Sequence, residues 1–113
     1  MDAGKLKEFL ETLHTLAAEI RAADAETAEE RTPVELDQQA VGRLSRMDAL
    51  QVQAMALETS RRRGAELRRI AAALARIDEG EYGFCLECGE EIAVRRLEFA
   101  PAAPLCIGCA SGK

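Results

Sequence analysis

Four cysteines, all within the last 29 of 113 residues, constrain this chain more than any other feature. They form two C-x2-C pairs, Cys85-Leu86-Glu87-Cys88 and Cys106-Ile107-Gly108-Cys109, separated by 17 residues. Two thiolates three positions apart in a tight turn converge on one cation, and two such turns complete a tetrahedron, so the spacing reads as a four-cysteine zinc site. Gly89 follows the first pair and Gly108 lies within the second, where a chain bending around a metal can use positive backbone dihedrals. Two disulfides would suit a secreted protein, but Met1-Asp2-Ala3-Gly4-Lys5 lacks a basic segment followed by an apolar one. A thioredoxin-like centre needs one C-x-x-C beside a βαβ pattern, and none is present. An iron–sulfur cluster could use four cysteines, yet zinc is the commoner occupant of this spacing. Four thiolates leave no open position for water or substrate, so the expected metal is one structural Zn2+ held by Cys85, Cys88, Cys106 and Cys109. Structural zinc is worth on the order of 10 kcal/mol in small finger peptides, which suits a tail too short to bury a core of its own.

The rest of the chain reads as helix. Its length suits one domain, and a composition that is 48% apolar but only 4% aromatic, rich in Ala and Leu, favours long helices over a sandwich or barrel. From Lys5 to about Glu30, Leu6, Phe9, Leu10, Leu13, Leu16, Ala17, Ile20 and Ala23 recur at three and four residue steps, one stripe of an amphipathic helix. Pro33 marks a turn near residues 31–36, and a second helical pattern runs from Asp37 to about Glu79, ended by Gly80 and Gly83. Folding the two helices back antiparallel about that turn pairs residues whose numbers sum to about 67. It sets Ala23 against Leu44, Ile20 against Met47, Ala17 against Leu50, Leu13 against Ala54 and Leu10 against Leu57. That register exhausts the first helix near residue 64. The next stripe, Leu67, Ile70, Leu74 and Ile77, is then expected to be covered by Ile92, Val94, Leu97, Phe99, Leu105 and Ile107 of the tail. The expected architecture is mainly α: a two-helix coiled-coil hairpin over 1–80, then a four-cysteine zinc finger over 81–113 packed on the end of the second helix.

Charge narrows the function classes. Twenty acids against fifteen bases give −5, and four thiolates holding one divalent cation take the chain to about −7, so it repels a phosphate backbone more than it attracts one. Residues 19–37 are mostly acidic and residues 61–76 mostly basic, which predicts an acidic hairpin tip and a basic base. No run approaches the roughly 18 apolar residues needed to span a bilayer, and a cytoplasmic monomer is expected. An enzyme is the weakest reading, because no nucleophile and base constellation or phosphate loop occurs and His14, the one histidine, lies far from the cysteines. Arg95 and Arg96 are expected to brace the finger through Glu79 or Glu81. A module binding nucleic acid through Arg61–Arg63 and Arg95–Arg96, or a protein-interaction module, is the alternative.

The run Tyr82-Gly83-Phe84-Cys85-Leu86-Glu87-Cys88-Gly89-Glu90-Glu91-Ile92, followed by Arg95-Arg96-Leu97-Glu98, Pro101 and Cys106-Ile107-Gly108-Cys109, closely resembles the DksA/TraR family of bacterial transcription factors and its C4-type zinc finger. The likeness extends back to Ile70, Leu74 and Ile77. The resemblance implies a partner, RNA polymerase, whose secondary channel receives the hairpin and its acidic tip, with direct DNA binding not expected. The family's tip motif, Asp-x-x-Asp-x-Ala, is not found at the turn, where Val34-Glu35-Leu36-Asp37 offers Glu35 and Asp37 as the tip carboxylates. Asp48-Ala49 is read as lying well inside the second helix. The chain is read as a short member, without the family's N-terminal extension. The family also brings in the alarmone ppGpp, a co-effector that no motif of this sequence supports.

Overall fold

The computed structural model of the chain describes residues 1–28 and 43–112. Among the described residues four helices follow one another: α1 (Ala3–Glu26), α2 (Arg43–Glu79), α3 (Val94–Phe99) and α4 (Ile107–Ala110). Asp2 caps α1, its Oδ1 accepting the Lys5 N–H at 2.7 Å, which satisfies one of the four amides a helix start leaves unpaired. α1 stops at Glu26 rather than Glu30. The Thr27 backbone N–H and hydroxyl both turn back onto the Ala23 carbonyl, at 3.3 and 3.2 Å, closing the last turn. α2 ends where its glycine predicts, with Gly80 at φ 76°.

The two long helices run antiparallel, as expected, but in a different register. Arg63 Nη1 donates to Thr27 Oγ1 at 2.7 Å and lies 3.6 Å from Asp24 Oδ1, while the Phe9 and Tyr82 rings sit 5.7 Å apart. Paired numbers therefore sum to about 90 rather than 67, a slide of roughly 20 residues, or about 30 Å along a helix. Four of the five layers expected from the sequence do not form, and the fifth rests on Leu44, whose side chain lies outside the described residues. Met47, Leu50 and Leu57, the assigned partners of Ile20, Ala17 and Leu10, are 58, 47 and 49% exposed. The stripe of α1 packs instead on the lower half of α2. Phe9, Leu13 and Ala17 share one buried cluster with Ile70 and Ala73, flanked by Leu67, Leu74 and Ile77. The sequence reading held that the first helix could not reach this stripe; it does.

The reason is burial. Two amphipathic stripes match in several registers, and the occupied one lets α1 meet both α2 and the C-terminal module, whose Tyr82, Ile92, Leu97 and Ala102 belong to the same cluster. Apolar area removed from water stabilises by roughly 25 cal/mol per Å2, so a register that closes a three-sided core outweighs one that closes a two-sided seam. The slide also revises the charge pattern. Asp24 stands beside Arg63, so the described acids at the end of α1 lie level with the arginine run and across the rod from it. The expected turn near 31–36, with Glu35 and Asp37, falls outside the described residues.

Candidate metal centre

Two short backbone devices bring the four cysteines together. Around the first pair the chain forms a tight hairpin: the Ile92 N–H donates to the Gly83 carbonyl at 2.7 Å and the Cys85 N–H to the Glu90 carbonyl at 2.8 Å. The loop between them closes with the Gly89 N–H on the Cys85 carbonyl at 2.9 Å, and Gly89 takes φ 74°, a conformation a side chain resists. Around the second pair, Cys106 caps α4, its Sγ accepting the Cys109 N–H at 3.4 Å. The Leu86 N–H reaches the Pro104 carbonyl at 2.9 Å and ties one pair to the other. The base of the module is fixed by the Tyr82 hydroxyl, which donates to the Pro101 carbonyl at 2.7 Å, and by Arg96 Nε, which donates to the Leu105 carbonyl at 2.9 Å. Arg96 thus braces the finger internally, and among the described residues neither Arg95 nor Arg96 pairs with Glu79 or Glu81.

All four Sγ atoms lie within 4.8 Å of one another, with those of Cys88 and Cys106 3.9 Å apart. A tetrahedral ion with zinc–sulfur bonds of ~2.3 Å has sulfur–sulfur edges of about 3.8 Å, so the donor set fits zinc. The electrostatics agree. Backbone N–H groups, first that of Cys88 and then that of Cys106, hold the Cys85 thiol down to about 6. The neighbouring Cys106 sulfur, followed by that of Cys85, pushes Cys109 well above the ordinary thiol range. Four sulfurs this close cannot all carry charge alone, and a divalent cation removes that conflict. The cluster fits one structural zinc, and Cys85, Cys88, Cys106 and Cys109 are the residues that would hold it.

His14 is exposed and sits on α1, away from the cysteines. The arginine run is largely committed to carboxylates: Arg61 and Arg62 bond Glu58, at 2.7 and 3.2 Å, and Arg69 bonds Glu66. The Arg61 contact holds the Glu58 carboxyl down to about 2. The apolar supply of the finger divides unexpectedly. Ile92 and Leu97 are buried, whereas Phe99 is 88% and Ile107 62% exposed. In α3, Phe99 follows Leu97 by two residues, about 200° around the helix, so a helix that buries Leu97 turns Phe99 outward. That signal was present in the sequence once α3 was recognised as a helix.

Comparison with known proteins agrees with the site. Residues 80–113 match the prokaryotic dksA/traR C4-type zinc finger. The RNA polymerase-binding transcription factor DksA of Haemophilus influenzae is 49% identical over 43 residues, covering 38% of this chain and 30% of that protein. The factor of the same name in Escherichia coli K12 is 42% identical over 43 residues, 38% of this chain and 28% of that protein. The match thus spans less than a third of these relatives' length. Among solved structures, DksA2 of Pseudomonas aeruginosa superposes with a TM-score of 0.77 at 28% identity, over 98% of this chain and 84% of that one. The DnaK suppressor protein of Agrobacterium tumefaciens C58 gives 0.62 at 29% identity, over 95% and 92%. The resemblance read from the sequence holds: residues 80–113 are a zinc finger of the DksA/TraR family, carried on a chain with the DksA fold.

Proposed function

We propose that this chain, with its DksA/TraR zinc finger and DksA fold, regulates transcription in the bacterial cytoplasm by binding RNA polymerase, and acts without enzymatic activity of its own. The observation that carries the reading is the likeness to DksA2 over 98% of the chain, joined to identity with DksA factors at the finger. Those relatives are named as transcription factors that bind RNA polymerase, and the negative charge of this chain, −5 before the metal is counted, favours a protein partner over free DNA. Zinc plays no direct part in the regulation; it fixes the base from which the helices project.

The finer reading is that the far end of the helix pair enters the secondary channel of the polymerase, as a monomer. Carboxylates there would meet the hard divalent cations of the catalytic centre through oxygen. Glu35 and Asp37 are the carboxylates proposed from the sequence. The observed register adds Asp48: α1 ends level with Arg63, so α2 projects past it, and Asp48 lies 15 residues beyond Arg63, about 22 Å along the helix. Asp48 is exposed on α2.

Purified zinc-loaded protein should co-migrate with core polymerase, compete with a known secondary-channel factor, and change open-complex lifetime on a ribosomal RNA promoter. Glu35→Gln with Asp37→Asn, and separately Asp48→Asn, should leave binding and helicity in place while reducing the change in lifetime. Unchanged lifetimes at saturating wild-type protein would refute the reading.

A further inference from the structure

Globular folds usually hide methionine, yet none of the buried core side chains among the described residues is one. The chain's three methionines, Met1, Met47 and Met55, are 50, 58 and 65% exposed. Met1 lies at the base of the molecule, its Cε against Gly83 of the finger. Met47 and Met55 lie on the half of α2 that projects past α1, about 12 Å apart along the helix. Met47 directly precedes Asp48 and shares an exposed stripe with Leu50, Ala54 and Leu57, at three and four residue steps. Met55 is turned to another face, where it lines an open hollow of about 260 Å3 with Thr27, Val52 and Arg63. The cysteine sulfurs are held differently: Cys85 is 3% exposed, and a zinc ion at the four-cysteine cluster draws on all four thiolates. The thioethers on α2 meet solvent with neither burial nor a metal to shield them.

We propose that Met47 is a site of reversible oxidation to methionine sulfoxide by hydrogen peroxide, and that this modification weakens the hold of the chain on polymerase without unfolding it. The sulfur lone pair attacks one peroxide oxygen, so that an S–O bond forms as the O–O bond breaks. The departing hydroxide takes the proton left on the transferred oxygen and leaves as water; sulfur loses two electrons and the peroxide gains them. In a core, a polar sulfoxide disrupts packing. At Met47 the thioether already faces water, so the folded chain loses little. What changes is the surface offered to a partner. The apolar stripe acquires a hydrogen-bond acceptor that costs free energy to desolvate when a partner covers it, next to a carboxylate assigned to the polymerase contact. Met55 oxidises as well, but it lies off that stripe and about two turns nearer the finger than Asp48, so Met47 carries the effect. Sulfoxide reductases restore the thioether, which makes the change a switch. The inference rests on the polymerase reading above and adds its regulation.

The test treats the full zinc-loaded chain with hydrogen peroxide, then removes the peroxide and restores the cysteines with a thiol reductant and zinc, a treatment that leaves sulfoxides in place. Peptide mass spectrometry locates the added oxygen, and titration with purified core RNA polymerase reads the affinity before and after treatment. Met47 should oxidise at close to the rate of free methionine, and binding by the wild type should fall about 10-fold, the loss of one apolar contact. Zinc content and helical circular dichroism should match the untreated chain, and methionine sulfoxide reductases should return the affinity. For each variant the readout is its own ratio of treated to untreated affinity: Met47→Leu should bring that ratio to about 1, whereas Met55→Leu should respond as the wild type does. A Met47 that resists peroxide, binding unchanged with Met47 fully oxidised, or a loss that persists in Met47→Leu overturns the switch while sparing the polymerase reading. Untreated wild-type protein that fails to bind polymerase removes that reading, and this inference falls with it.

Discussion

Tyr82 links the finger to the helices through one ring and one hydroxyl. The ring packs 5.7 Å from Phe9 and the hydroxyl donates to the Pro101 carbonyl at 2.7 Å. Loss of solvent around the phenol, partly offset by Arg76, pushes its pKa up to about 12. A folded-state pKa above the unfolded value of about 10 means that the neutral form is favoured by folding. Its contribution is complete below about pH 10 and disappears as the pH rises through about 12. Because Tyr82 is the one tyrosine and there is no tryptophan, tyrosinate absorbance reports this group alone. The native protein should titrate near 12, with stability falling between about 10 and 12; titration at the unperturbed value in folded protein would show that the phenol is solvated. Tyr82→Phe should cost about 1 kcal/mol by chemical denaturation, since it leaves the Pro101 carbonyl without its donor.

At the scale of elements, the register of α1 on α2 makes unequal predictions for residues that look alike in sequence. Leu13 is fully buried and Leu57 is 49% exposed. Leu13→Ala should therefore cost roughly 2–5 kcal/mol, and Leu57→Ala about 0.5 kcal/mol or less. The register expected from the sequence places Leu57 in the seam and would make the two losses similar, so thermal melts of the pair distinguish the alternatives directly. Arg63, between Asp24 and Thr27, should show a coupling to Asp24 of about 0.2–1 kcal/mol in a double-mutant cycle. No coupling is expected between Leu10 and Leu57.

Across the whole molecule, the zinc site and the helix pair share one core, because Ile92, Leu97 and Ala102 of the finger are buried with Leu13 and Ile70. Removal of zinc by a strong chelator should therefore lower helical circular dichroism as well as finger structure, and Cys85→Ser or Cys109→Ser should do the same. An unchanged helical signal with zinc fully removed would show that the helices stand on their own. The negative net charge belongs to this scale too. It limits non-specific attraction to nucleic acid whatever the fold, whereas the placement of acids along the rod depends on the register.

The four-cysteine cluster, the helical class and the family of the finger were legible in the sequence because each rests on local information. Ligand spacing is set by turns of a few residues, and helix by periodicity within single segments. The end of α2 at Gly80 was local in the same way. The pairing of α1 with α2 was not. Two periodic stripes fit one another at several offsets, and the choice among them depends on how much apolar surface a third element adds. Tyr82, Ile92, Leu97 and Ala102 made that choice; they drew α1 down to the base of α2, set Asp24 beside Arg63 and left the upper half of α2 to project. The exposure of Phe99 followed from the same packing, since α3 could bury Leu97 only by turning Phe99 to solvent. The sequence by itself determined which cysteines converge and what kind of elements form, because short-range geometry and periodicity suffice for both. The tertiary structure decided which faces meet and which residues reach outward, because burial is a property of all the elements together.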